Sequence, residues 1–170
     1  MMMRDAFHEE LDQISQSLLN MASLVNLAME DATQALLTPD LGIAEKVIAA
    51  DDVIDQMQHD LDARTISLMA RQQPVASDLR TLVTSLRMSA DLERMGDMAH
   101  HIAKSARIRF PNCAVPNELT QTITEMGKTA NRIISKLITV MRDRDVVRAL
   151  EIAIDDDEMD RLHRQLIRSE

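Results

Sequence analysis

Glu93 and Asp97 stand four residues apart in the stretch DLERMGDMAHH, and Asp51 and Asp55 stand four apart in AADDVID. Residues at i and i+4 of a helix lie one above the other on the same face, so each pair presents two carboxylates to one place. Asp156 and Asp160 repeat the spacing a third time. Clustered carboxylate oxygens suit hard and borderline cations such as Mg²⁺, Mn²⁺ and iron, whereas zinc usually takes the Cys and His that are scarce here. His59 follows Asp55 by four residues, His100 follows Asp97 by three and His163 follows Asp160 by three, which makes them the nitrogen donors available to such sites. This donor set does not distinguish Fe, Mn, Mg and Zn.

The surroundings sharpen the question. At about 100° per residue, Glu93, Asp97 and His100 share the face of Val75, Leu79, Leu82 and Leu86. Asp51, Asp55 and Asp62 share one with Leu41, Ala44, Ile48, Ile66 and Met69. Both acid patches are therefore expected at a poorly hydrated seam, where each unpaired charge costs several kcal/mol. Protons, a metal, or arginines such as Arg64 and Arg80 are the available neutralisers. The competing reading is a solvated acidic helix face. A ferritin-like di-iron bundle is a further alternative, but it requires Glu-x-x-His pairs; the nearest approximations here are Asp97-x-x-His100 and Asp160-x-x-His163. A purely structural helical scaffold is the third class.

The elements that must hold these residues are helices. Phe7, Leu11, Ile14, Leu18, Met21, Val25, Ala28, Ala32 and Ala35 alternate spacings of four and three, which predicts one long bundle helix ending near Pro39. A second pattern runs over 40–71. Pro74 is placed in the first turn of a third helix that reaches Arg109. PNCAVPN, 111–117, is a linker, and two more helical patterns follow over 117–142 and 145–168. Sliding the chain by 105 residues lays Asp40 on Asp145, Asp51 on Asp156 and Asp55 on Asp160, an internal repeat. Its counterpart to Glu93 and Asp97 falls beyond Glu170, so the second repeat is expected to lack its third helix. Ile133, Leu137, Val140, Ile152 and Met159 are then expected to be partly uncovered.

Composition agrees with an all-α chain, since 3 Gly and 4 Pro in 170 residues cannot supply a turn-rich β-architecture. A net charge of −9, with no Trp or Tyr and only Phe7 and Phe110 as aromatics, argues against a nucleic-acid surface. No window approaches the length of a membrane span and MMMRDAFHEE lacks a signal-peptide core, so a cytoplasmic protein, at most peripheral to a membrane through its partners, is expected. Cys113 is the lone cysteine. No phosphate-cradling Gly-rich loop, G-x-S-x-G elbow or Cys–His pairing is present, and no enzymatic activity is expected. Arg71, Arg80, Arg87 and Arg94 recur along the third helix and are read as its solvated face.

RQQPVASDLRTL, 71–82, followed by SADLERMGDMAHHIA, 89–103, resembles the paired signature of the PhoU family of phosphate-uptake regulators, and AADDVIDQM, 49–57, resembles that family's second-helix motif. The resemblance implies three-helix repeats, here a first over 1–110, the linker 111–117 and an incomplete second over 118–170. It also implies a homodimer and metal clusters held by E(D)-x-x-x-D pairs. The metal positions are then Asp51, Asp55, Glu93 and Asp97, with Asp156 and Asp160 in the incomplete repeat. The role it implies is negative regulation of phosphate uptake and of the starvation response, by coupling the ATPase subunit of the phosphate ABC transporter to a sensor histidine kinase.

Overall fold

The structure, a computed structural model, describes residues 2–168, with side chains from residue 5; positions 1, 169 and 170 of the expected repeats lie outside the described residues. Five helices follow in order: α1 (Met2–Leu37), α2 (Leu41–Gln72), α3 (Ala76–Arg109), α4 (Thr120–Asp143) and α5 (Val146–Arg168), with a short 3₁₀ turn, Asn117–Leu119, before α4. No strand occurs among the described residues.

The α1 seam is the one its spacing predicts: every named residue is buried except Leu11, which is half-buried. Asp40 caps α2 by accepting from the Ile43 N–H at 3.0 Å, and Asp145 caps α5 by accepting from the Arg148 N–H at 3.1 Å. These two caps lie 105 positions apart, as do the helix starts at Leu41 and Val146. A cap of this kind satisfies one of the N–H groups that a helix start leaves without a partner. Pro74 lies outside α3 rather than in its first turn. Gln73 is left-handed (φ 42°) and Val75 extended, so helical backbone starts only at Ala76.

Helices α1, α2 and α3 pack on one another; α4 packs on α1, and α5 on α4. The buried line of α3 is Leu82, Ser85, Ser89, Leu92, Gly96, Ala99, Ala103 and Ala106, spaced three and four throughout. Small residues on this line bring α2 close: a methyl group added to Gly96 would lie 3.2 Å from two carbons of Ile54. The buried line of α2 is Ala44, Val47, Ile54, Leu61, Thr65 and Leu68, with the half-buried Asp51 and Gln58 filling its two gaps.

This corrects the expected faces. Leu82 and Ala44 of the stripes assigned to the acids are buried in the seam, whereas Val75 and Leu79 are 67% and 42% exposed and Ile66 is 58% exposed. Glu93, Asp97 and His100 each follow a buried residue (Leu92, Gly96, Ala99) by one position and occupy the shoulder of α3. In the second half, Ile133, Leu137, Val140, Ile152 and Met159 are half-buried, while Val146, Val147, Leu150 and Ile154 are exposed on α5.

Candidate metal centre

The shoulder of α3 faces α2 where Asp51 interrupts the α2 core line. His100 reaches across this gap and places Nδ1 2.5 Å from Asp51 Oδ2. Donor atoms from Asp51, Asp97 and His100, one from each, all lie within 4.8 Å of one another. Asp51 and His100 are the sheltered members, with side chains 22% and 16% exposed, whereas those of Asp97 and Asp55 are about half exposed, at 49% and 54%. Asp55 lies outside the three-donor group and faces His59 at 3.6 Å; Asp97 has His101 at 3.3 Å.

Glu93 completes the field. Burial holds its carboxyl above the usual glutamate range, and Asp55, Asp97 and Asp51 push it the same way against the opposing Arg94 guanidinium. Among the described residues, no lysine or arginine comes within ion-pair distance of Asp51, Asp55, Glu93 or Asp97. Arg64 instead donates to Gln13 at 2.9 Å, and Arg71 pairs with Glu10 at 2.7 Å. Asp62 belongs to a different contact, accepting from the buried Ser89 hydroxyl at 2.7 Å.

The donor chemistry fits a divalent cation. Asp51, Asp97 and His100 bring three donors together with no lysine or arginine at ion-pair distance among the described residues, and His100 Nε2 is buried without a hydrogen-bond partner. A bound cation would turn the mutual repulsion of these carboxylates into attraction.

The second half solves its charge problem differently. Asp156 and Asp160 are exposed, and no three-donor cluster among the described residues includes them. The acid that turns inward is Asp155, 7% exposed, which meets Arg132 at 2.9 Å and Lys136 at 2.7 Å; Lys136 also reaches Glu151 at 3.4 Å. The Lys136 ammonium, helped by Arg132, holds the Asp155 carboxyl below the usual aspartate range despite burial. Sequence reasoning passed over Asp155. Its signal was there: Ile152, Met159 and Leu162 form a stripe that runs through position 155, and Arg132 and Lys136 lie four apart on the facing helix.

Residues 18–106, which carry both halves of the α2–α3 rim, match the PhoU domain. The chain belongs to the PhoU family. It is 42% identical over 164 residues to a Mycobacterium tuberculosis phosphate-specific transport system accessory protein, PhoU homolog 2, covering 96% of this chain and 77% of that protein. A Clostridium acetobutylicum PhoU homolog is 34% identical over 166 residues, covering 97% of this chain and 75% of that one. Among solved structures, PhoU from Pseudomonas aeruginosa superposes with a TM-score of 0.87 at 30% identity, over 96% of this chain and 78% of that one. The phosphate transport system regulatory protein PhoU from Streptococcus pneumoniae gives 0.83 at 29% identity, over 94% and 74%. The five helices therefore have the all-α architecture of PhoU structures, and no described helix is long and apolar enough to cross a membrane.

Proposed function

We propose that this chain is a cytoplasmic, non-catalytic regulatory adaptor of phosphate homeostasis. It links the ATPase subunit of the phosphate ABC transporter to a sensor histidine kinase and represses uptake and the starvation response when phosphate is plentiful. The observation that carries this reading is the match, over nearly the whole chain, to relatives named as accessory proteins of the phosphate-specific transport system. Like the family it resembles, the adaptor works as a homodimer.

Its α2–α3 rim, with Asp51, Asp55, Glu93 and Asp97, holds a divalent metal. The support is the three-donor group of Asp51, Asp97 and His100, with no lysine or arginine at ion-pair distance from these acids among the described residues. Asp156 and Asp160 take part in a second centre only together with donors from outside the described helices. Because α2 and α3 supply the ligands jointly, metal occupancy ties these two helices together and sets how rigidly their shared surface meets a partner.

The regulatory reading is tested in the host. Deleting the gene should leave phosphate-scavenging genes expressed in phosphate-rich medium, and a copy restored in trans should silence them. Normal repression in the deletion strain would rule out the adaptor role.

A further inference from the structure

Leu18 of α1, Met88 of α3 and Met141 near the end of α4 line a cavity of about 310 Å³ together with Arg80, Thr84 and Ser85 of α3. Leu18 and Ser85 are buried, the two methionines are half-buried, and Arg80 and Thr84 are exposed. Much of the polar lining is already engaged on its own helix. Ser85 donates to the Thr81 carbonyl at 2.9 Å, Thr81 to the Ser77 carbonyl at 3.2 Å and Ser15 to the Leu11 carbonyl at 3.1 Å. What remains for a ligand is mainly apolar surface with the Arg80 guanidinium beside it. Among the described residues Arg80 has no acid at ion-pair distance, and neither has Arg87 two turns on, although Arg71, Arg132, Arg142, Arg148 and Arg161 each have one. Asp78 and Asp91, the acids nearest to them along α3, pair with neither.

We infer that this cavity, with Arg80 and Arg87, is the docking surface for an acidic amphipathic helix of a partner protein. The inference rests on the adaptor reading and goes beyond it by naming the face that is used. An exposed arginine alone is an ordinary solvated charge, which is how the arginine row of α3 reads in the sequence. The cavity is the second observation. An apolar side chain that entered it would leave water, and a carboxylate next to that side chain would meet Arg80 where water is partly excluded, which strengthens the attraction. Met88 and Met141 can adapt to the shape of such an anchor. Seven residues of helix span about 10.5 Å, so Arg80 and Arg87 match carboxylates seven residues apart on a partner helix, and the exposed Val83 between them offers an apolar contact. Guanidinium forks suit carboxylates at such positions. In a chain of net charge −9, two unpaired arginines at one cavity are a local reversal of sign, which draws an acidic partner to this place.

The test titrates the full chain with the purified ATPase subunit of the host's phosphate transporter and with the cytoplasmic part of its sensor kinase. One of them should bind, and less tightly as salt is raised. Arg80→Glu should weaken that binding about 10-fold or more, and Arg87→Glu should weaken it less. Thr84→Trp, which fills the cavity from an exposed position, should weaken it with little change in its salt dependence. Arg164→Glu, at an exposed position of α5, should leave it unchanged. If the wild type binds one of the two proteins while Arg80→Glu and Thr84→Trp bind it equally well, the inference falls and the adaptor reading stands. If the wild type binds neither, the adaptor reading falls and takes the inference with it. Self-association lost in Arg80→Glu by sedimentation, with partner binding intact, would give the surface to a second copy of the chain and also overturn the inference. Should Thr84→Trp fail to fold by circular dichroism, Arg80→Glu decides.

Discussion

Glu93 is the residue at which the metal-free rim resists ionisation. Its folded pKa is raised, by burial first and then by Asp55, Asp97 and Asp51, so folding disfavours the charged form. The resulting penalty builds as pH rises from the ordinary glutamate value to the raised folded value, and is full above it. Metal-free Glu93→Gln should therefore melt at a higher temperature than wild type at pH 7, with the difference shrinking as the medium is acidified below the usual glutamate range. Asp155 has the opposite sign: Lys136 and Arg132 lower its folded pKa, so its contribution is present above the unfolded value and is lost as pH falls through the folded one. Asp155→Asn should melt lower than wild type at neutral pH, with faster amide exchange in α4 and α5, and the gap should close in acid. The acids at 51, 55, 93 and 97 are legible from their spacing alone. What spacing does not carry is the cross-helix partner, since His100 looks from the sequence like a companion of Asp97 yet bonds to Asp51 on the neighbouring helix.

At the scale of the helix, the α1 seam is legible because large apolar residues mark it, whereas the α3 seam is hidden by small ones. Ser85, Ser89, Gly96 and Ala99 carry little hydrophobic signal, yet they are buried because they let α2 approach. Periodicity reports which residues share a face and says nothing of which face meets a neighbour, so Val75 and Leu79 drew the predicted seam onto the shoulder. The same close-approach logic governs α4 on α1. A methyl group at Gly127 would lie 2.4 Å from Thr33 Cγ2 and 3.1 Å from its Cβ, and Thr33 is tied to the Met29 carbonyl by a 2.8 Å hydrogen bond. Gly→Ala within a helix gains up to about 1 kcal/mol in propensity, but overpacking of this kind costs about 1–3 kcal/mol. Gly127→Ala should thus be destabilising in urea unfolding, and adding Thr33→Ala should recover part of the loss.

Across the whole molecule, the α2–α3 rim and the α4–α5 pair show two electrostatic solutions. The α4–α5 pair neutralises its inward acid with Arg132 and Lys136, while the four rim acids of the α1–α3 bundle have no lysine or arginine at ion-pair distance among the described residues. Metal dependence should consequently be confined to the first half. The most direct measurement is the melting temperature of chelator-stripped protein with and without added divalent metal, in wild type and in the double variant Glu93→Gln, Asp97→Asn. A ligand at a hundredfold over its Kd adds about 2.7 kcal/mol, which for a chain of this size is a rise of several degrees. That rise should appear in the wild type, reverse with chelator and vanish in the double variant. A wild type indifferent to every divalent ion tried, or a double variant that keeps the full rise, would show the rim to be an ordinary solvated acidic face.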